Sequence, residues 1–325
     1  MASGYGMCGH LMTQTQSAYG TSEITSLSAI PIVSESISHT IEPLIEAGMY
    51  ARLDESPYHE GIHAVEGSVS IEAQPDAMGW FLKSVLGTIH TNCAAAVSTH
   101  TFIPSVCGSE FSDRAATPPM TMEINRDVGV AFVYSDLLGN DLSINVANGE
   151  LLTMETNFIG AGVSSSAAST PTFPTAPPFL WDQFSGSYNS QAITDLKDLT
   201  VTVNNNLEAV HTLTGSKTPY RIKRSGQRQI EISGTFVFAA HSYNQAFEGQ
   251  LEVPMNFHFA NASAPHTFTM NFPKVRFKTF DVTMGGAGLV EASFTAGALY
   301  DTATTKAATF TLVNTVQWYG TLATA

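Results

Sequence analysis

The chain has 325 residues, of which 43% are hydrophobic and only 13% charged, against about 25% charged in an average soluble domain. A surface so poor in charge favours a protein that buries much of itself against other subunits, although a surface rich in Ser, Thr and Asn is also consistent with it. The net charge of −14 argues against nucleic-acid binding, because phosphate contacts need Lys and Arg. No run of 18 apolar residues is present, so no membrane span is expected.

The length suffices for two domains of about 150 residues each. Residues 1–30 are polar and rich in Gly, Ser and Thr, which predicts a flexible arm and not a signal peptide. We predict a first β domain over 31–163, a Pro/Ser/Thr-rich linker over 164–189 and a second β domain over 190–325. The three cysteines are odd in number and lack CxxC spacing, which indicates free thiols of a protein made in the cytosol.

Each half opens with a predicted strand, at 35–41 and at 199–203, and continues into a longer excursion, at 48–63 and at 215–228. A strand with alternating apolar and polar residues follows in both halves, which is typical of an antiparallel sheet with one solvated face. If the sheets of several subunits join into a barrel, the polar face lines a channel, and its candidate residues are Glu66, Glu72 and Glu231. An ordinary outward sheet face is equally consistent with the pattern.

A helix is predicted after each alternating strand. Pro75 suits a first helical position, apolar residues recur at helical spacing from Met78 to Leu86, and Gly87 ends the run. Tyr243 and Phe247, with Leu251, have the same spacing in the second half. The predicted fold class is therefore mainly β, with two tandem sandwich-like or barrel-like domains that each pack one helix.

The two halves have the same plan. Residues 66–71 match 233–238 at a spacing of 167, with glycines and apolar positions in register, and residues 142–146 match 280–284 at a spacing of 138. The first half carries extra chain at about 88–117. A duplicated β unit predicts pseudo-symmetry and a protein that assembles into a larger structure.

The two excursions differ in charge. The first carries Arg52, Asp54, Glu55 and Glu60, a net charge of −2, and the second carries Lys217, Arg221, Lys223, Arg224 and Arg228, a net charge of +5. Loops of opposite sign favour contacts between neighbouring subunits or stacked rings. Solvated loops whose charges contact nothing are the alternative.

One string fits a catalytic motif. His59, Glu60 and His63 match HExxH, which binds zinc when both histidines share a helix face and the glutamate activates a zinc-bound water. Pro57 and Gly61 argue against such a helix, and the duplicate segment 224–228 has no equivalent ligands. We therefore expect no metal, no cofactor and no catalytic residue, and keep a zinc hydrolase as the less favoured alternative.

Three stretches resemble the major tail tube proteins of long-tailed bacteriophages: 65–87, the strand-then-helix core; 199–208, a strand followed by Asn-Asn-Leu-Glu; and 228–235. The resemblance covers about 30–320. It implies a β-sandwich flanked by a helix, and subunits that form stacked rings around a channel through which DNA passes. It also implies a virion protein whose partners are itself and other tail proteins, namely the tape measure, terminator and baseplate.

The duplication departs from that family pattern. Six tube domains per ring would need only three chains, so we expect a trimeric pseudo-hexamer. A related assembly protein, such as a tail terminator, a baseplate hub or a secretion-system tube, is the alternative within the same fold.

Overall fold

The computed structural model describes residues 5–48, 50–51, 53–94, 97–238, 242–261, 265–284 and 288–319. These residues are mainly β, with two α-helices, Pro75–Leu86 (α1) and Ser242–Glu248 (α2). The strands up to residue 166 are β1 His10–Thr15, β2 Ser28–Ile30, β3 Ser34–Glu35, β4 Ser38–Ile45, β5 Tyr58–Glu72, β6 Gly87–Ala94, β7 Val97–Pro104, β8 Met120–Asn125, β9 Ala131–Ala147, β10 Thr153–Gly160 and β11 Gly162–Ser166. The strands after it are β12 Phe184–Tyr188, β13 Gln191–Ile193, β14 Leu196–Asn204, β15 Leu207–Val210, β16 Arg221–Arg224, β17 Gln229–Val237, β18 Val253–Ala260, β19 Thr267–Thr283, β20 Glu291–Ala298 and β21 Thr309–Asn314.

One continuous antiparallel sheet runs through both halves of the chain. Its strand order is β4–β5–β10–β9–β14–β17–β20–β19, and β3 pairs with β5 in line with β4. The two halves meet where β9 pairs with β14, from Asp141 opposite Asn204 to Ala147 opposite Asp198. We call these strands the joined sheet.

A second layer of strands packs over the buried face of the joined sheet. In the first half it has the order β2–β1–β8–β9–β11, and in the second half β13–β12–β18–β19–β21–β7–β6. The long strands β9 and β19 run through both layers, which is how each sandwich is closed. The β6–β7 hairpin belongs to the first half of the chain. Through the pairing of β7 with β21, it extends the second layer of the other half.

The same pairing pattern occurs twice. The β10–β9 ladder has a bulge at Asn140, and the β20–β19 ladder has one at Lys278, so the 138-residue spacing holds in the structure. Glu66 on β5 lies opposite Ile159 on β10, and Glu231 on β17 lies opposite Gly297 on β20. Gly297 comes 138 positions after Ile159 and is therefore its equivalent. The ladders therefore equate Glu66 with Glu231, two residues away from the glycine-based alignment. A shift of two keeps every side chain on its own face, so the alternation alone could not detect it.

Helix α1 has the predicted bounds. Pro75 is its first residue and Gly87, at a φ of 89°, ends it in a conformation that favours glycine. Its buried side packs on β9 and β7, and the Phe81 ring lies 6.0 Å from that of Phe158. A Cβ on Gly79 would lie 2.1 Å from the Tyr319 ring, so the C-terminal segment crosses the helix closely there. One buried cluster extends from Leu11 to Tyr319 and includes residues of both halves.

The prediction of a mainly β fold with packed helices is confirmed, but several segments differ from it. Residues 10–15, inside the predicted arm, form the fully buried strand β1 between β2 and β8. Strand β5 begins at Tyr58, within the predicted excursion, and α2 ends at Glu248, before Leu251.

The predicted linker is packed against the body of the protein over part of its length. The carboxylate of Glu123 accepts hydrogen bonds from the Ser169 amide at 2.7 Å and from its hydroxyl at 2.9 Å. The Phe179 ring is fully buried near Phe259 and Phe268. Composition alone cannot show such anchoring, because it depends on residues far away in sequence.

Candidate assembly surface

The solvent-facing side of the joined sheet is polar from one edge to the other, and we call it the polar face. One row of paired residues crosses seven strands in the order Ser70, Glu155, Ser143, Thr202, Glu231, Gly297 and Arg276. A parallel row crosses the same strands in the order Glu72, Thr153, Asn145, Thr200, Ser233, Thr295 and Thr279. Apolar neighbours such as Val201 and Ile232 point into the core on the opposite side, which is why the alternation is so regular.

Glu66, Glu72 and Glu231 all lie on the polar face. Glu66 is exposed, and Glu231 forms an ion pair with Lys278. The acidic side chains on this face include Glu66, Glu72, Asp141, Glu155, Asp198, Glu231, Asp281 and Glu291. The sequence does not single out the five additional acids, because alternation within one strand does not show which strands share a sheet. Burial raises the pKa of Asp141.

The acidic and basic excursions contact each other within the chain. Lys217 pairs with Glu60, and the amide of His63 donates to the Lys217 carbonyl oxygen at 2.9 Å. Hydrogen bonds from Lys217 and His63 lower the pKa of Glu60. The start of β5 therefore lies against the loop that precedes β16. Arg52 lies outside the described residues, and Asp54 and Glu55 are exposed.

Three of the other basic residues of the excursion, Lys223, Arg224 and Arg228, form ion pairs or hydrogen bonds within the chain. Lys223 and Arg224 pair with Glu110, at 2.5 Å and 3.5 Å respectively. Arg228 donates to Asn205 Oδ1 at 2.9 Å and to the Ser105 carbonyl oxygen at 3.0 Å. Burial, and then the charge of Arg224, lower the pKa of Arg228. Arg221 is exposed.

Asn205 joins the two halves. It is fully buried, and its Nδ2 donates to the carbonyl oxygens of Val85 at 2.8 Å and Gly139 at 3.1 Å. Its Oδ1 accepts from Arg228 and from Arg224, and its amide donates to the Asn140 carbonyl oxygen at 2.9 Å. The Asn-Asn-Leu-Glu segment is therefore a hydrogen-bonded junction between α1, β9 and the basic excursion. Asn140 and Asn205 could not be assigned this role from sequence, since the contacts that join the two halves, such as Asn205 to Gly139 and Leu207 to Asn140, span 66 and 67 residues.

The HExxH string lies on strand β5 and not on a helix. His59 Nε2 lies 2.9 Å from Glu46 Oε1, whereas His63 Nε2 lies 2.7 Å from Glu60 Oε1 and its Nδ1 lies 3.1 Å from His39 Nε2. The two histidines thus have different partners, and the glutamate bonds a histidine and a lysine. Within the described ranges no three acidic, histidine or cysteine side chains are grouped as metal ligands. No helix among those residues is long and apolar enough to cross a membrane.

The joined sheet ends in two strand edges without a partner strand among the described residues. At one end β3 and β4 pair only with β5, and at the other the segment of β19 after Arg276 pairs only with β20. Several apolar side chains near these edges are exposed, including Val282 at 42% and Met284 at 81%. An open edge of this kind is a template for pairing with another chain.

A family model described as phage tail tube protein matches residues 15–298. No curated protein matches the chain.

Proposed function

Since the chain belongs to the phage tail tube protein family, we propose that it is the repeating structural unit of a phage tail. In this role it self-assembles into rings, and the rings stack into a hollow tube through which DNA passes. The protein then resides in the virion tail, after synthesis in the host cytoplasm. The joined sheet, polar on one face and open at both edges, is the observation that supports this role most directly.

Ring closure satisfies the two open edges. The β9–β14 ladder already connects two sandwich units side by side within one chain, and the two units share the same pairing pattern and the same bulge. We propose that they are a duplicated two-domain form, with three chains per ring and six units around it. Such closure leaves no edge of the joined sheet open, which is the usual solution for sheets of this kind.

The polar face lines the channel in this arrangement. Its carboxylates repel the phosphates of DNA, while its Ser, Thr and Asn side chains keep the wall wetted. A polyanion therefore slides along the wall and finds few cations to bind. Glu66, Glu72 and Glu231 belong to this wall in the proposal, together with the newly assigned acids such as Glu155.

Stacking of rings uses the exposed parts of the excursions and the N-terminal residues in our proposal. Lys217, Lys223, Arg224 and Arg228 already have partners in the chain. In the proposal the exposed charges Asp54, Glu55 and Arg221 therefore carry more of this role than these four residues do. The tape measure, terminator and baseplate proteins are the expected heterologous partners.

Electron microscopy of the purified full chain, with its mass measured by light scattering, tests the proposal. We expect hollow tubes, or rings of three chains with six-lobed projections. Rings that never stack would favour a terminator or baseplate hub instead. Monomers that never associate at any concentration would refute the assembly role, and stoichiometric zinc in such monomers would revive the hydrolase alternative.

A further inference from the structure

We propose that β19 of one copy pairs with the β3–β4 edge of a second copy in one fixed register, with Val282 opposite Ile37, and that the Glu35–Arg126 ion pair covers this edge in the separate chain. The inference rests on the proposed function and specifies the contact that closes the ring. The occupant of each open edge is therefore a second copy of this chain.

The register follows from the joint that the chain already contains. At the β9–β14 joint, Val201 lies opposite Ile144 and Thr202 lies opposite Ser143. The shared bulge places β19 residues 138 positions after their β9 equivalents, so Val282 corresponds to Ile144 and Asp281 to Ser143.

The β3–β4 edge can be aligned with β14 because Glu66 and Glu231, which lie on the neighbouring strands, are equivalent positions of the two halves. Ser38 lies opposite Glu66 and Thr202 lies opposite Glu231, so Ser38 corresponds to Thr202 and Ile37 to Val201. Applying the internal joint to the open edges therefore puts Ile37 opposite Val282 and Ser38 opposite Asp281.

The free edge of β19 exposes apolar side chains at positions where the equivalent residues of β9 are covered by β14. Ile144 is 1% exposed beneath the β14 contact, whereas its equivalent Val282 is 42% exposed. Met284, two residues further along the same face, is 81% exposed. The difference arises at equivalent positions of equivalent strands: β9 has β14 as a second partner there, whereas β19 after Arg276 pairs only with β20 among the described residues.

The receiving edge borders a groove that can admit these side chains. The groove has a volume of about 700 Å³ and is lined by the β3–β4 edge together with Phe132, Tyr134 and Val163. In the proposed register Met284 lies opposite Glu35, at the mouth of this groove. The apolar side chains of β19 and the partly aromatic lining of the groove are chemically matched.

In the separate chain this edge is covered. The amide of Ser36 donates to the Ser68 carbonyl oxygen, so the polar backbone groups of the next residue, Ile37, point away from β5. Arg126 Nη2 donates to the Ile37 carbonyl oxygen at 2.8 Å, and the Ile37 amide donates to Glu35 Oε2 at 3.2 Å. Arg126 also donates two hydrogen bonds to the Glu35 carboxylate, at 2.8 and 2.9 Å.

The internal joint has no such cover. The residue that corresponds to Glu35 is Leu199, which is 2% exposed and pairs with β9. The ion pair therefore occupies the same backbone groups that β19 of a second copy needs. Before assembly, the ion pair blocks uncontrolled pairing of this edge. On ring closure, the contacts of Arg126 and Glu35 with the Ile37 backbone are replaced by a strand ladder.

A pair of introduced cysteines tests the register. In the internal joint the hydrogen bonds Asn205–Asn140 and Asn148–Lys197 show that Thr202 and Ser143 form a non-hydrogen-bonded pair. Such pairs have Cα atoms about 4.5 Å apart, which suits a disulfide. The test variant is Ser38→Cys with Asp281→Cys, in a background where the three exposed native cysteines are serine.

Two matched variants control the experiment. Ser143→Cys with Thr202→Cys makes the equivalent pair within the chain and should form an intrachain bridge with or without rings. Ser38→Cys with Thr283→Cys represents a slip of two residues on the same face and should not cross-link. After mild oxidation of assembled rings, the test variant should give a covalent species of three chains on a non-reducing gel, and reduction should return single chains.

The outcomes separate the register from the function. Rings in the microscope with no bridge between 38 and 281, or with a bridge between 38 and 283, overturn the register and leave the tube function standing. No rings in the unmodified protein overturns the tube function itself.

A second measurement tests the cover. Glu35→Leu places the residue of the internal joint at the open edge, so we expect it to shorten the lag before ring formation at least several-fold. An unchanged or longer lag would overturn the covering role of the ion pair.

Discussion

Asn205→Leu should destabilise the folded chain strongly, because this side chain makes four hydrogen bonds with no exposure to water. Leucine has a similar volume, so no large cavity is added. The carbonyl oxygens of Val85 and Gly139 each lose a donor, at about 1–3 kcal/mol for a buried group left unsatisfied. Arg224 and Arg228 keep Ser105 as an acceptor and lose less. We expect a total loss of about 4 kcal/mol in the free energy of unfolding.

Urea unfolding at a concentration where the chain is not assembled measures this loss, with tryptophan fluorescence as the signal. The matched control is Asn204→Leu, at the adjacent half-buried position, where one hydrogen bond to the Asn206 amide is lost. We expect the control to cost about 1 kcal/mol. If both variants shift the urea midpoint equally, the junction does not depend on the Asn205 network and the reasoning is wrong.

Further predictions concern the surface and the linker. Arg221→Glu should leave rings intact and reduce the length of tubes seen by electron microscopy. Glu155→Lys should make tubes retain short DNA at low salt and release it at high salt, whereas unmodified tubes retain none in either condition. Burial and then the charge of His63 lower the pKa of His39, so the folded state weakens as pH falls from about 6.5 through the folded pKa. The protection factors of β4 amides, which correct for the intrinsic pH dependence of exchange, should be smaller at about pH 5 than at about pH 7, and His39→Gln should remove the difference. Glu123→Ala should release the linker and speed proteolysis within 167–178 roughly tenfold, and an unchanged rate would show that the contact does not anchor it.

Local patterns were sufficient to predict part of this structure. The bounds of α1 follow from Pro75, the apolar spacing and Gly87, all of which act within a few residues. The faces of β5 and β17 follow from simple alternation, which depends only on one buried side. The same alternation predicts that Glu66 and Glu72 lie on the polar face of β5 and Glu231 on that of β17, as they do. That both strands belong to one joined sheet does not follow from it.

The long-range pairings could not be predicted this way. Strand β1 contains Thr13, Gln14 and Thr15, which are buried although polar, so its pattern looked like a flexible segment. The contact between Glu60 and Lys217 was expected between subunits and occurs within the chain, because the β9–β14 joint brings the two excursions together. Charge alone gives the sign of a contact but not which copies of the chain make it.

The β6–β7 hairpin has a consequence for how the outside of the tube is recognised. It occurs once per chain, and α2 is followed by β18 without an equivalent. In the proposed ring of three chains the channel wall would repeat nearly every 60°, whereas the outer surface would repeat only every 120°. A cargo inside such a ring would move along an almost sixfold wall, while a protein that docks on the exterior would find three equivalent sites per ring and not six.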